Sequence, residues 1–134
     1  MTTTQDIISA YLAAFNRGDW AGMLALLADD VVHDINQGGA EHGKAAFAGF
    51  LDRMARCYRE ELRDIVILVS ADGTRAAAEF QVHGKYLAQD AGLPPARGQR
   101  YTLPAGAFFG LKDGRITRVT MYYNLREWLR QVDG

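Results

Sequence analysis

The sequence predicts an α+β fold, with three N-terminal helices packed on a strongly curved, mainly antiparallel sheet and a short helix at the C-terminus. Three observations lead there. From Thr4 to Tyr58, apolar residues recur at the three- and four-residue spacing of helices packed on a core. Beyond Leu62 the period changes to two, with Ile, Val, Tyr and Phe enriched. The apolar runs of that second half are joined by Asp72-Gly73 and Asp113-Gly114, the dipeptides of tight hairpins. Helices first and hairpin-linked strands after them put the helices on one face of an antiparallel sheet.

The elements follow in order. A first helix is expected from about Thr4 to Asn16, with Thr3 and Asp6 as a capping pair and Gly18 as its stop. Asp19 caps a second helix that buries Trp20, Met23, Leu24 and Leu27. A strand over Val31 to Ile35 leads into the loop Asn36-Gln37-Gly38-Gly39. A third helix from about Gly43 places Phe47, Leu51, Met54 and Tyr58 on one face. Strands are expected over Leu62 to Ser70, Arg75 to Ala88, Tyr101 to Leu111 and Arg115 to Asn124. In the second of these, Phe80, Val82, Gly84 and Tyr86 alternate with Glu79, Gln81, His83 and Lys85. In the last, Val119, Met121 and Tyr123 are expected to face the helices, with Arg118, Thr120 and Tyr122 on the other side. The stretch from Gln89 to Arg100 holds Gly92, Pro94, Pro95 and Gly98 and reads as a loop. Leu125, Trp128, Leu129 and Val132 mark one side of a closing helix.

Composition narrows the function classes. A chain of 134 residues with 49% apolar residues suits one folded domain, residues 1–134. Fifteen Lys and Arg against 16 Asp and Glu give no pull toward nucleic acid or an anionic membrane. No apolar run is long enough to span a bilayer. The single Cys57 leaves no internal disulfide, and Met1 to Asp6 lacks the features of a secretion signal, so residence in the cytoplasm is expected. No His-x-His, HExxH or Cys-x-x-Cys spacing is present, and neither a metal nor another cofactor is expected.

Two polar residues interrupt apolar stripes. Tyr11 sits in Ile8-x-x-Tyr11-Leu12-x-x-Phe15, on the buried face of the first helix. Asp34 ends the alternating run Val31-Val32-His33-Asp34. Burying such groups without partners costs roughly 2–7 kcal/mol for a neutral polar group. A carboxylate that takes a proton and a phenol that donates a hydrogen bond are the minimum parts of a proton-transfer site. The alternatives are an Asp34 that caps the following loop or pairs with Lys44, and a Tyr11 whose ring packs in the core.

The chain resembles the ketosteroid isomerase branch of the NTF2-like superfamily, including SnoaL-like proteins. The resemblance rests on Tyr11 before Gly18-Asp19, on Ala28-Asp29-Asp30, on Asp34 before His42-Gly43, and on Asp113-Gly114-Arg115-Ile116 leading into Met121-Tyr122-Tyr123. It implies a conical cavity in which Asp34 is the base and Tyr11 the oxyanion donor, with one deletion allowed between Asp30 and Val31 to bring Asp34 into place. It implies that Tyr123 is a pocket aromatic. It also puts Ala107 where a second oxyanion acid stands in that family, and Leu27 and Leu51 where some members carry supporting tyrosines. Phe15, Phe50, Met54, Tyr58 and Met121 complete the expected pocket wall. The implied partner is a small apolar or carbonyl-bearing ligand. The activity implied is proton abstraction next to a carbonyl; a SnoaL-like cyclase or hydrolase and a non-catalytic binding module stand beside it.

The histidines receive plainer roles. His33 neighbours Asp34 and is expected on the opposite face of its strand, at the surface or a subunit interface. His42 is expected to cap or precede a helix. His83 is expected on an outer sheet face that pairs with a second copy in a homodimer. The loop from Leu87 to Arg100 is long enough to lie over the pocket mouth.

Overall fold

The structure, a computed structural model, describes residues 2–35 and 37–133. The order is α1 (Thr4–Asn16), α2 (Trp20–Ala25), β1 (Leu27–Ile35), β2 (Ala40–His42), α3 (Lys44–Cys57), β3 (Tyr58–Val69), β4 (Arg75–Tyr86), β5 (Arg100–Lys112), β6 (Arg115–Tyr123) and α4 (Leu125–Val132). The caps form as their residues dictate. Thr3 and Asp6 make a complete capping box, and the Asp19 and Asn124 side chains accept from the backbone of Gly22 and Glu127. Asp113 and Gly114 both have positive φ, 52° and 75°, which the two-residue hairpin turn between β5 and β6 requires.

The six strands form one sheet in the order β2-β1-β6-β5-β4-β3. Every pairing is antiparallel except β1 with β6. α1 packs on β3 and β4, α3 on β1, and α4 on β5. The helix-facing side carries the core, including Ile8, Leu12, Phe47, Leu51, Phe80 and Phe109.

Three boundaries differ from the expectation. β1 begins at Leu27, because Leu27 pairs with Ile116 before a register shift. Ala40–His42, between the expected loop and the expected third helix, is a short edge strand on β1. Tyr58 opens β3 instead of ending a helix. Tyr58, Glu60 and Leu62 alternate on the concave side opposite Tyr86, Gly84 and Val82, so period two already governs there. Of the loop expected at Asn36 to Gly39, Gln37 and Gly38 form the turn; Asn36 lies outside the described residues.

Candidate functional site

The concave face is best read in rows of directly paired residues. One row runs Ala76, Phe109, Val119, His33, Glu41 across β4, β5, β6, β1 and β2. The next runs Ala78, Ala107, Met121, Ile35. Further along come Ala105 with Tyr123, Val82 with Leu103, and Glu60, Gly84 and Tyr101. Between these rows, α3 and Trp128 of α4 lies a cavity of about 170 Å³. His33, Phe50, Met54, Glu60, Met121 and Tyr123 are among its lining residues, with Asp90 and Leu93 from the loop before β5. That loop therefore borders the cavity, as its length suggested.

Three arrangements stand out among the polar residues of this wall. The first is His33, 4% exposed. Its ring packs against Phe47 and Phe50, with centroids 4.9 and 4.3 Å away. Its Nδ1 lies 3.5 Å from Glu41 Oε1, an ion-pair distance without hydrogen-bond alignment. Burial lowers the imidazole pKa, and the facing Glu41 carboxylate opposes that shift. The neutral ring is the form favoured at pH 7.

The second group is Glu60. It accepts a 2.6 Å hydrogen bond from the Tyr101 hydroxyl, and burial raises its pKa against that bond. Gly84 makes the pair possible: a Cβ there would stand 2.2 Å from the Tyr101 ring. The third is a chain from α3 to the loop. Tyr58 donates to Asp90 at 2.7 Å, and Arg53 Nε lies 3.6 Å from the other Asp90 oxygen. Tyr86 accepts from the Asp90 backbone N–H and donates to Pro94 O, fastening the loop over the aromatic cluster of Tyr58, Tyr86, Tyr101 and Trp128.

The expected catalytic pair is not brought together. Asp34 pairs with Thr120, which pairs with Phe108, and Phe108 is 47% exposed on the convex face. Thr120 donates to Asp34 at 3.5 Å and accepts from Arg118 at 2.7 Å. His33, expected to point away, points in. The cause is strand parity. Val31 is buried and brackets His33 on the concave side, and a shift of one residue exchanges the two faces of a strand. The deletion allowed between Asp30 and Val31 introduced that shift. Tyr11 lies in the core, its ring centroid 5.5 Å from that of Phe109 in an edge-to-face contact, and burial pushes its phenol pKa up. Lys44, a suggested partner of Asp34, instead lies 3.6 Å from Asp29.

Of the expected wall, Phe50, Met54, Tyr58, Met121 and Tyr123 line the cavity. Phe15 lines an adjoining cleft with Met54, Tyr58 and Glu60. Ala107 is buried core between Ala78 and Met121. Glu41, Arg53, Glu60, Asp90 and Tyr101 were not anticipated. The alternation of Tyr58, Glu60 and Leu62, and the inward Gly84, were the available signals.

Residues 8–119 match the family model of the SnoaL-like domain. The chain belongs to the SnoaL-like family. Among solved structures, a proposed polyketide cyclase from Pseudomonas putida KT2440 is 60% identical, with a TM-score of 0.97 over 98% of this chain and 99% of that one. Another, from Xanthomonas campestris pv. campestris, is 59% identical, with a TM-score of 0.92 over 96% and 95%. An NTF2-like protein of Burkholderia xenovorans LB400 is 18% identical with a TM-score of 0.75 over 96% and 95%, which shows the shared NTF2-like fold. The curated proteins gave no match. Within this SnoaL-like cone, the polar groups stand in an otherwise apolar wall, the usual make-up of a small-molecule site. Among the described residues no cluster of His, Cys, Asp and Glu is arranged to hold a metal ion, and no helix is long and apolar enough to cross a membrane.

Proposed function

We propose that this protein binds a small, mostly apolar, carbonyl-bearing molecule in the cone and removes a proton next to the carbonyl, with His33 as the base. The observation that carries this reading is the placement of His33: a buried imidazole on the cavity wall with a carboxylate behind its Nδ1. A carboxylate 3.5 Å from Nδ1 favours the tautomer that carries its proton there and leaves Nε2 as the proton acceptor. The C–H bond breaks, the proton goes to Nε2, and the electron pair moves onto the carbonyl oxygen. Tyr123 and Arg53, both in the wall, supply donors for that oxygen. Glu60, with its raised pKa and Tyr101 partner, supplies a second proton-exchanging group.

A cyclase reading shares this first step. The family relatives described as polyketide cyclases support it: a carbanion formed beside one carbonyl can attack a second carbonyl of the same molecule. A homodimer through the convex face is supported by Val66, Leu68, Phe108 and Tyr122, which are exposed on that side. The unpaired, buried Cys57 fits a cytoplasmic setting.

The test is deuterium exchange into a two-ring ketone such as 2-tetralone. His33→Gln is expected to lower catalysed exchange by roughly 100- to 10,000-fold, the usual value of a positioned base. Binding without exchange by the unaltered protein would reduce the reading to a binding module.

A further inference from the structure

We propose an anion-binding site at the β3 end of the convex face, built to hold the phosphate group of a small molecule. Arg59 pairs directly with Lys85, and Lys85 with Arg100, so three cations stand side by side across β3, β4 and β5. Directly opposed side chains have Cβ atoms about 4.5–5.5 Å apart, and like charges placed so repel. That separation is well inside the roughly 8 Å screening length of physiological salt. Among the described residues none of the three takes part in an ion pair.

On that face Glu61 stands in the next row opposite His83, and its carboxylate is held by Arg63. Glu60 belongs to the concave side and is bonded by Tyr101. Lys85, the middle cation, is half-buried between two exposed arginines. A Cβ on Gly98 would lie 3.4 Å from Lys85 Cε, so the lysine stem runs along the loop before β5. Gly98 has φ +81° and leaves space for that stem.

These cations and Arg63 line a groove of about 430 Å³ that also reaches Glu60, Glu61 and Thr102. A phosphate oxygen cluster placed over Lys85 would meet an ammonium at its centre and a guanidinium on either side. Guanidinium forks match phosphate oxygens two at a time. Inorganic phosphate and the diphosphate of a larger molecule share this chemistry. The groove shares only Glu60 with the His33 cavity, so this site stands or falls independently of the proton-transfer reading.

The test measures the thermal midpoint of the intact protein in inorganic phosphate and in pyrophosphate, with ionic strength matched by sodium chloride. Ligand that binds the folded state raises the midpoint. The unaltered protein is expected to gain several degrees over chloride. Lys85→Gln and Arg100→Gln should each lose at least half of that gain while being no less stable than the unaltered protein in chloride alone. Arg75→Gln, at the far end of the convex face, should keep the gain. A larger response to pyrophosphate points to a diphosphate; an equal response points to a single phosphate. An equal gain in all variants, or a gain matched by chloride, would overturn the site. Light scattering completes the test: a change of assembly mass in Lys85→Gln would assign the row to contact between copies and overturn it as well.

Discussion

The two faces of the sheet use their polar residues in opposite ways. On the concave face, polar groups are few, enclosed and set in an aromatic surround: His33 against Phe47 and Phe50, Glu60 under Tyr101, Asp90 under Tyr58. Burial moves their proton affinities, lowering that of His33 and raising those of Glu60 and Tyr58. On the convex face Asp34 lies beside Thr120 and Arg118, and the cations of β3, β4 and β5 stand in a row whose outer two are exposed. Enclosure shifts proton affinities; exposure leaves charge open to solvent. A residue type therefore says little about its role until its face is known, and His33 and Asp34 are neighbours on opposite faces.

The contrast can be broken most strongly in the aromatic cluster. Trp128 packs edge-on against Tyr58, Tyr86 and Tyr101. Trp128→Ala is expected to cost about 3–5 kcal/mol in urea unfolding, as large-to-small core changes do. On the convex side Phe108→Ala, which removes one edge contact with Tyr122, should cost about 1 kcal/mol or less. Comparable losses would mean that the convex face is as tightly packed as the core.

Next comes Gly84→Ala. Its methyl group would drive the Tyr101 ring off Glu60. Overpacking of this kind costs about 1–3 kcal/mol. Carboxylate NMR should then show the Glu60 pKa rising further, since a hydrogen bond to the charged form is lost.

The pH dependence of stability sharpens the same comparison. Glu60 has a folded pKa above its unfolded value of 4.5, so the folded state binds that proton more tightly and stability falls as pH rises from 4.5 through the folded value. Glu60→Gln should remove this loss and gain more at pH 7 than at pH 4. His33 has the opposite sign. Its folded pKa lies below 6.5, so its contribution is present above that pH and is lost as pH falls through the folded value. His33→Gln should flatten the stability curve below pH 6.5. The smallest effect is expected from Asp34→Asn. Its contact with Thr120 is at the limit of hydrogen-bond length, and the change should stay within about 0.5 kcal/mol and leave ketone exchange unaltered.

Much of the fold was legible because its local signals agree with one another. The Thr3–Asp6 box, the Gly18 stop, both Asp-Gly turns and the alternation through β4 stand where patterning puts them. The resemblance, not patterning, put Tyr123, Met121, Phe50, Met54 and Tyr58 in the expected wall, and the five line the cavity. What failed was parity on β1. Val31 and Val32 are both apolar, so the strand offers no local cue to which neighbour faces in, and only pairing with β6 decides it. Glu60 was hidden by reading Tyr58 as the last turn of a helix, although the strand begins there. The three-cation row needed register across three strands, which no single segment contains.

The most direct measurement is histidine NMR, because the chain carries one histidine on the concave wall and two elsewhere. The imidazole resonances of His33, His42 and His83, assigned by single substitutions, would be followed through pH and on addition of 2-tetralone. His33 is expected to titrate below 6.5 and to move on adding the ketone, an addition that leaves the His42 and His83 resonances in place, and Asp34→Asn changes none of this. A His33 resonance that titrates at its ordinary value and ignores the ketone, with ketone exchange lost in Asp34→Asn instead, would put the concave and convex faces of β1 the other way round.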